Sequence, residues 1–379
     1  MPLSSAFPST TDPVPTYNRP AHRRDFQIAI ICALPLEFDA AILLVDEFWD
    51  QNDRQYGRTS GDKNTYRNGR IGIHNVVLML LPNMGKTAVA GSAANLRTSY
   101  PNLKLALLVG VCGGVPFPGT YEALLGDVVI SEAIVQYDFG RRYPGEFIPN
   151  ETAETIPSAP NKDIRTFLAY FQSDTGKDEL RRNAANHLQA LQNAASIKNY
   201  RCSFRYPGPA EDKLFAATHL HKHQKQSSCD FCCGEFDKFC SKAAEASCAE
   251  LGCDESQLVP RQRLERKRNL HWEEAPGPDV FIGRVASADM VMKSGGHRDQ
   301  IAKRYNVIAF EMEGAGLWDE APCIVVKGIC DYADSHKNDI WQPFAAATAA
   351  AAAKAMLGRY TPTDHLELSV HGTGKSKVY

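Results

Sequence analysis

The chain has 379 residues, 44% apolar and 23% charged, an ordinary balance for a folded protein that can bury a large core. A formal net charge of -2 supplies no broad cationic field, which argues against nucleic acid or an anionic membrane surface as partner. The longest apolar runs, 76–82 (VVLMLLP) and 103–112 (LKLALLVGVC), are strand-sized, far short of the roughly 20 residues that span a bilayer.

Residues 1–24 are rich in Pro, Ser and Thr and read as a flexible tail with no secretory signal. From Asp25 an α/β rhythm begins. Residues 26–34 (FQIAIICAL) predict a strand, and 37–49 place Phe38, Ile42, Val45 and Trp49 at helical spacing. Strand material follows at 70–82, then a small-residue helix from Met84 to Tyr100, a strand at 103–111 and β-branched residues at 126–139. Two helices are expected within 162–195. The rhythm resumes with strands at 280–286, 307–311 and 322–330, helices near 296–305 and from Gly314, and an Ala-rich closing helix, Trp341–Met356. This alternation predicts one α/β domain over 25–360, a three-layer α/β/α arrangement around a mostly central mixed sheet, with 361–379 as a second tail.

Residues 200–278 break the pattern. They are polar, cysteine-rich and poor in large apolar residues, which suits an insertion on the core better than an independent domain. Seven of the eleven cysteines fall between Cys202 and Cys253. Their odd total, without a secretory signal, points to a reducing, cytoplasmic location. Cys229, Cys232 and Cys233 with His223 could hold a structural zinc, although no second Cys-x-x-Cys pair accompanies Cys229 and Cys232.

Ligands of open α/β sheets gather at the carboxyl ends of strands. Four features occupy such ends. Glu37, after the first strand, either balances a helix dipole or serves as a base toward water. Gly110-Val111-Cys112-Gly113-Gly114 brings backbone close to a ligand, but is not a dinucleotide fingerprint. Gly85-Lys86-Thr87 is not counted among the four, since it lacks the upstream glycine of a phosphate-binding loop. Glu311-Met312-Glu313 sets two carboxylates on diverging directions, one suited to accepting hydrogen bonds from vicinal sugar hydroxyls. Asp331 ends a buried strand and either caps a turn or acts as a general acid.

In correct order, ICALPLEFDA, LPNMGKTAVAG, LLVGVCGGVP, GDVVIS, ASADMVMK, FEMEGAG and KGICDYADSHKNDIWQPFAAATAAAAAK resemble the purine nucleoside phosphorylase and methylthioadenosine/adenosylhomocysteine nucleosidase superfamily. The likeness is greatest to the fungal form found at the front of large innate-immunity-like receptors, and FRYPGPAEDKLF is similar to that form too. The resemblance implies a nucleoside phosphorylase-like fold and cleavage of a purine from its ribose. Glu37 would activate water, Cys112, Gly113 and Gly114 would lie along the ribose, Met290 and Met312 would contact the nucleoside, Glu313 would hold the 2′ and 3′ hydroxyls, and Asp331 would protonate purine N7. Cys330 and Lys327 stand where relatives often have Ser and Arg.

The reaction so implied requires no cofactor or metal. Its partners would be a purine nucleoside and water, in a homo-oligomer. Hydrolysis is favoured because the loop Ala33-Leu34-Pro35-Leu36-Glu37 lacks the glycine and arginine of a phosphate cradle. The alternatives are a phosphate-dependent phosphorylase and a catalytically weak nucleoside-sensing or interaction module.

Overall fold

The computed structural model describes residues 17–50, 56–144, 146–149, 161–224, 229, 239–269 and 277–361. All but residue 361 of the tail expected at 361–379, most of that at 1–24, and Cys232 and Cys233 lie outside the described residues.

The first half contains β1 (Ile28–Cys32), α1 (Pro35–Leu43), β2 (Glu47–Phe48), β3 (Tyr66–Ile71), β4 (His74–Leu80), α2 (Lys86–Ser99), β5 (Leu105–Gly114) and β6 (Val128–Gln136). A small hairpin, β7 (Gly140–Tyr143) and β8 (Glu146–Pro149), precedes α3 (Lys162–Gln172) and α4 (Asp174–Ile197). Short helices α5 (Ser241–Glu245), α6 (Cys248–Leu251) and α7 (Gln262–Asn269) punctuate the cysteine-rich segment. Then come β9 (Val280–Ser287), α8 (Gly295–Tyr305), β10 (Val307–Glu311), α9 (Gly314–Trp318), β11 (Cys323–Asp331) and α10 (Gln342–Leu357).

Nine strands form one mixed sheet in the order β10-β9-β6-β11-β5-β1-β4-β3-β2, flanked by helices as expected. The far end curls back: β10 also pairs antiparallel with the end of β5, through Ala309–Gly114 and Phe310–Gly113. β5 and β11 are buried almost throughout, which explains their continuous apolar runs, since a strand covered on both faces has no solvated side to mark with polar residues. α10 packs on β5 and β11 and carries α1 and α4. Its alanines allow that approach and also favour the helix. No helix among the described residues is long and apolar enough to cross a membrane.

The helix expected over 37–49 ends at Leu43, and Glu47–Phe48 joins the sheet instead. Tertiary pairing overrides the periodicity: Asp46 and Trp49 N–H groups donate to the Arg70 and Asn68 carbonyls, and the buried Trp49 indole donates to Asn75. The stretch 70–82 likewise resolves into a hairpin in which Ile71 faces His74.

Candidate active site

At the carboxyl ends of β1, β5, β10 and β11 lies a cleft of about 270 Å³ lined by Glu37, Cys112, Gly113, Met290, Met312, Glu313 and Asp331, together with Lys327 and Lys337. Of the glycine-rich stretch 110–114, Gly110 and Gly114 lie outside the lining: Gly110 faces Glu37, and Gly114 is packed toward Ile329 while its backbone pairs with β10. A wider depression of about 820 Å³ between residues 19–24 and Thr98–Pro101 sits at the opposite, amino ends of β1 and β5.

Glu37 is only 2% exposed, in the first turn of α1. Its Oε2 accepts from the Ala33 and Leu34 N–H groups at 2.9 Å, and its Oε1 from Val111 N–H at 2.8 Å. A carboxylate has about four acceptor directions, so roughly one remains for a ligand. Burial pushes its carboxyl above the ordinary glutamate value, against the opposing pull of the Lys327 ammonium and the backbone N–H groups. Gly110 is the reason the carboxylate fits, because a methyl group at that position would overlap it.

The two glutamates of β10 and its exit divide their work. Glu311 accepts from the Glu313 N–H at 2.9 Å and from the Gly314 N–H at 2.8 and 3.0 Å, holding the start of α9. Burial, then the neighbouring Glu313, raise its carboxyl. Glu313 Oε2 instead takes the Lys327 ammonium at 3.3 Å, and its Oε1 the Gly85 N–H at 3.3 Å. Lys327 is 1% exposed; three nearby carboxylates, Glu313 foremost, outweigh its burial and hold it above the ordinary lysine value.

Asp331 closes β11 at a register shift: Ile329 faces Cys112 but Asp331 faces Gly113, so one residue bulges out and re-aims the carboxylate. Its Oδ1 accepts from Ala333 N–H at 2.8 Å, and its Oδ2 from the Cys330 thiol at 3.2 Å and from the Lys337 ammonium. A Cβ on Gly113 would come within 2.9 Å of this Oδ1. Ala333 is buried in the left-handed region at φ 52°, a strained conformation for a non-glycine residue. The buried Cys112 thiol is raised by desolvation and is not poised as a thiolate.

Met84, Met290 and Val291 form an apolar rim about half exposed, Met290 at 47%. Sequence reasoning left Lys337 unassigned and Lys327 without a role. Both lie on the cleft, and carboxylates outnumber cations there four to two among the described lining residues.

Ligand atoms of His223, Cys229 and Cys240 lie within 4.8 Å of one another, a grouping that shares two members with the zinc set expected from sequence. A second group, His221, Cys248 and Cys253, and a third, His219, Cys253 and His336, have the same spread. Burial, then the His221 and His219 rings, push His336 down to about 3, so it stays neutral.

Residues 27–360 match the protein family described as the Phosphorylase superfamily. A nucleotide-binding leucine-rich repeat (NLR)-like protein of Hyaloscypha variabilis is 29% identical over 344 residues, covering 89% of this chain, which spans only 30% of that relative's length. Among solved structures, the 5′-methylthioadenosine/S-adenosylhomocysteine nucleosidase of Neisseria meningitidis is similar at 15% identity, covering 87% of this chain and 98% of its own, with a TM-score of 0.48. The futalosine hydrolase of Helicobacter pylori is similar at 16% identity, covering 89% of this chain and 99% of its own, with a TM-score of 0.49.

Proposed function

The chain belongs to the phosphorylase superfamily, and from that membership we propose that it hydrolyses the N-glycosidic bond of purine ribonucleosides, releasing free base and ribose. The observation that carries the choice of water over phosphate is the balance of charge in the cleft. Lys327 is paired with Glu313 and Lys337 with Asp331, and Glu37 and Glu311 add two further carboxylates, a lining that disfavours an inorganic anion, while the buried Glu37 has acceptor capacity to spare.

In this mechanism the C1′–N9 bond breaks and its electron pair leaves with the purine. Asp331 delivers a proton to N7, and Lys337, bonded to the same carboxylate, stabilises the negative charge that the transfer leaves there. Glu313, steadied by Lys327, holds the sugar hydroxyls while positive charge builds on the ring. Glu37 takes a proton from the water that attacks C1′, and its own negative charge favours the oxocarbenium-like sugar. No step calls on a metal or a cofactor. The relative named NLR-like supports the further reading of this chain as the enzymatic portion of a fungal receptor-type protein.

The test is a product assay in phosphate-free buffer that resolves ribose from ribose 1-phosphate. Free ribose and free base are expected, with little stimulation by added phosphate. Glu37→Gln should lower turnover about 100-fold or more while base recognition persists. Turnover that demands phosphate and yields ribose 1-phosphate overturns the proposal in favour of a phosphorylase.

A further inference from the structure

Unused metal-ligand chemistry lies where the cysteine-rich segment meets the loop between β11 and α10. His221 Nδ1 stands 3.5 Å from Cys248 Sγ and 3.6 Å from Cys253 Sγ. The other ring nitrogen, Nε2, is 2.9 Å from the Ala246 carbonyl. A carbonyl can only accept, so Nε2 carries the proton and Nδ1 turns a lone pair toward the two sulfurs. Sulfur and imidazole ligands sit about 2.3 and 2.0–2.1 Å from tetrahedral zinc, which separates a neighbouring nitrogen and sulfur by roughly 3.5–3.6 Å. The two measured separations match that spacing, and both cysteines are free thiols. The Ala246 carbonyl behind His221 is the outer support that a metal-bound histidine ordinarily has.

A fourth donor is at hand. His336 is 7% exposed and its Nε2 makes no hydrogen bond. Its ring lies edge-on to His221 at 5.3 Å, and its ligand atom groups within 4.8 Å with those of Cys253 and His219, so a turn of the ring brings it to the ion held by His221, Cys248 and Cys253. A buried nitrogen without a partner carries a desolvation penalty that a metal bond removes.

We propose that His221, Cys248, Cys253 and His336 hold one structural zinc ion. Binding releases the two thiol protons to solvent, and a dication with two thiolates and two neutral imidazoles is neutral overall, which suits a site with little water. The ion fastens the cysteine-rich segment to the loop that carries Lys337, and so steadies the ammonium on Asp331 from outside the cleft. The His221 N–H donating to Ser335 Oγ at 3.0 Å is a second fastening between the same two segments.

The experiment uses the full chain purified without chelator. Because His223, Cys229 and Cys240 form a separate cluster, metal content is measured in the C229S/C240S background as well as in the wild type. One zinc per chain should persist in C229S/C240S. Cobalt(II) substituted there should show thiolate-to-metal charge-transfer absorption and tetrahedral ligand-field bands. C248S/C253S should carry one zinc fewer than the wild type, and His336→Asn should weaken retention against a competing chelator at least about 10-fold. A C229S/C240S protein without zinc and without the cobalt–thiolate absorption overturns the proposal. So does an unchanged zinc count in C248S/C253S, a readout that remains if the first variant fails to fold.

Discussion

Glu37 is pinned by three backbone N–H groups yet titrates high because burial outweighs them. In the proposed role Glu37 acts as a base in its ionised form, so the rate should be full above the raised pKa and fall as pH drops through it. The acid limb of kcat/KM is therefore expected above the ordinary glutamate value of 4.5, and a limb at or below that value would contradict the assignment. Stability runs the other way: this group's contribution is present below its unfolded pKa and lost as pH rises through the folded one. Glu313 supports a different prediction. If it holds the 2′ hydroxyl, Glu313→Gln should cost ribonucleosides about 10–100-fold more in kcat/KM than 2′-deoxyribonucleosides, the worth of a hydrogen bond to a charged group. Equal losses on both sugar series would remove the ribose role. A lower melting temperature should accompany either result, because Lys327 loses its nearest charged partner.

At the scale of the element, β5 is a strand whose glycines make room for side chains arriving from elsewhere. Its Gly110 gives place to the Glu37 carboxylate and its Gly113 to that of Asp331. β5 lies between β1 and β11 and cannot back away. Gly110→Ala should thus cost about 1–3 kcal/mol in overpacking and lower turnover about as far as Glu37→Gln does. Circular dichroism and steady-state rates on the same preparation check it; a stable, fully active variant would show that the carboxylate need not sit there. Sequence reading took these glycines for backbone that approaches a ligand, because one sequence does not show which side chain will come near. It found the strands and helices of the sheet where apolar runs or helical spacing marked them. It missed the β7–β8 hairpin, since Gly140–Tyr143 is exposed throughout and has no buried face to leave a pattern. Lys337 was passed over for a related reason: a lysine in the polar run DSHKN reads as a solvated charge, and only the fold brings it back onto Asp331.

Across the molecule, the segment after Tyr200 is tied to the sheet by buried charge. Arg261 donates to Asp212 Oδ1 at 2.6 Å, and the Tyr332 hydroxyl reaches the same oxygen at 2.8 Å. Asp212 Oδ2 takes the Leu125 N–H at 3.0 Å. Both ionic partners are fully enclosed, so Asp212→Ala would strand the Arg261 guanidinium. A loss of about 3–5 kcal/mol is expected, read from the denaturant midpoint, and a loss under about 1 kcal/mol would mean that water or another group reaches the arginine. The order of strands is the part of the fold least visible in sequence, because it depends on which strand finds which and not on any local pattern. β11 illustrates this, set between β5 and β6 with Cys323 opposite Ala106 and Val326 opposite Ile130. During synthesis the ribosome releases β5 and β6 long before the strand that belongs between them. Until residue 331 has emerged, two apolar edges stand open in the nascent chain, and each is a template for pairing with the wrong neighbour. Folding of this unit must therefore wait until β11 has left the ribosome, and a fragment stopped before Cys323 would depend on chaperones to stay out of aggregates.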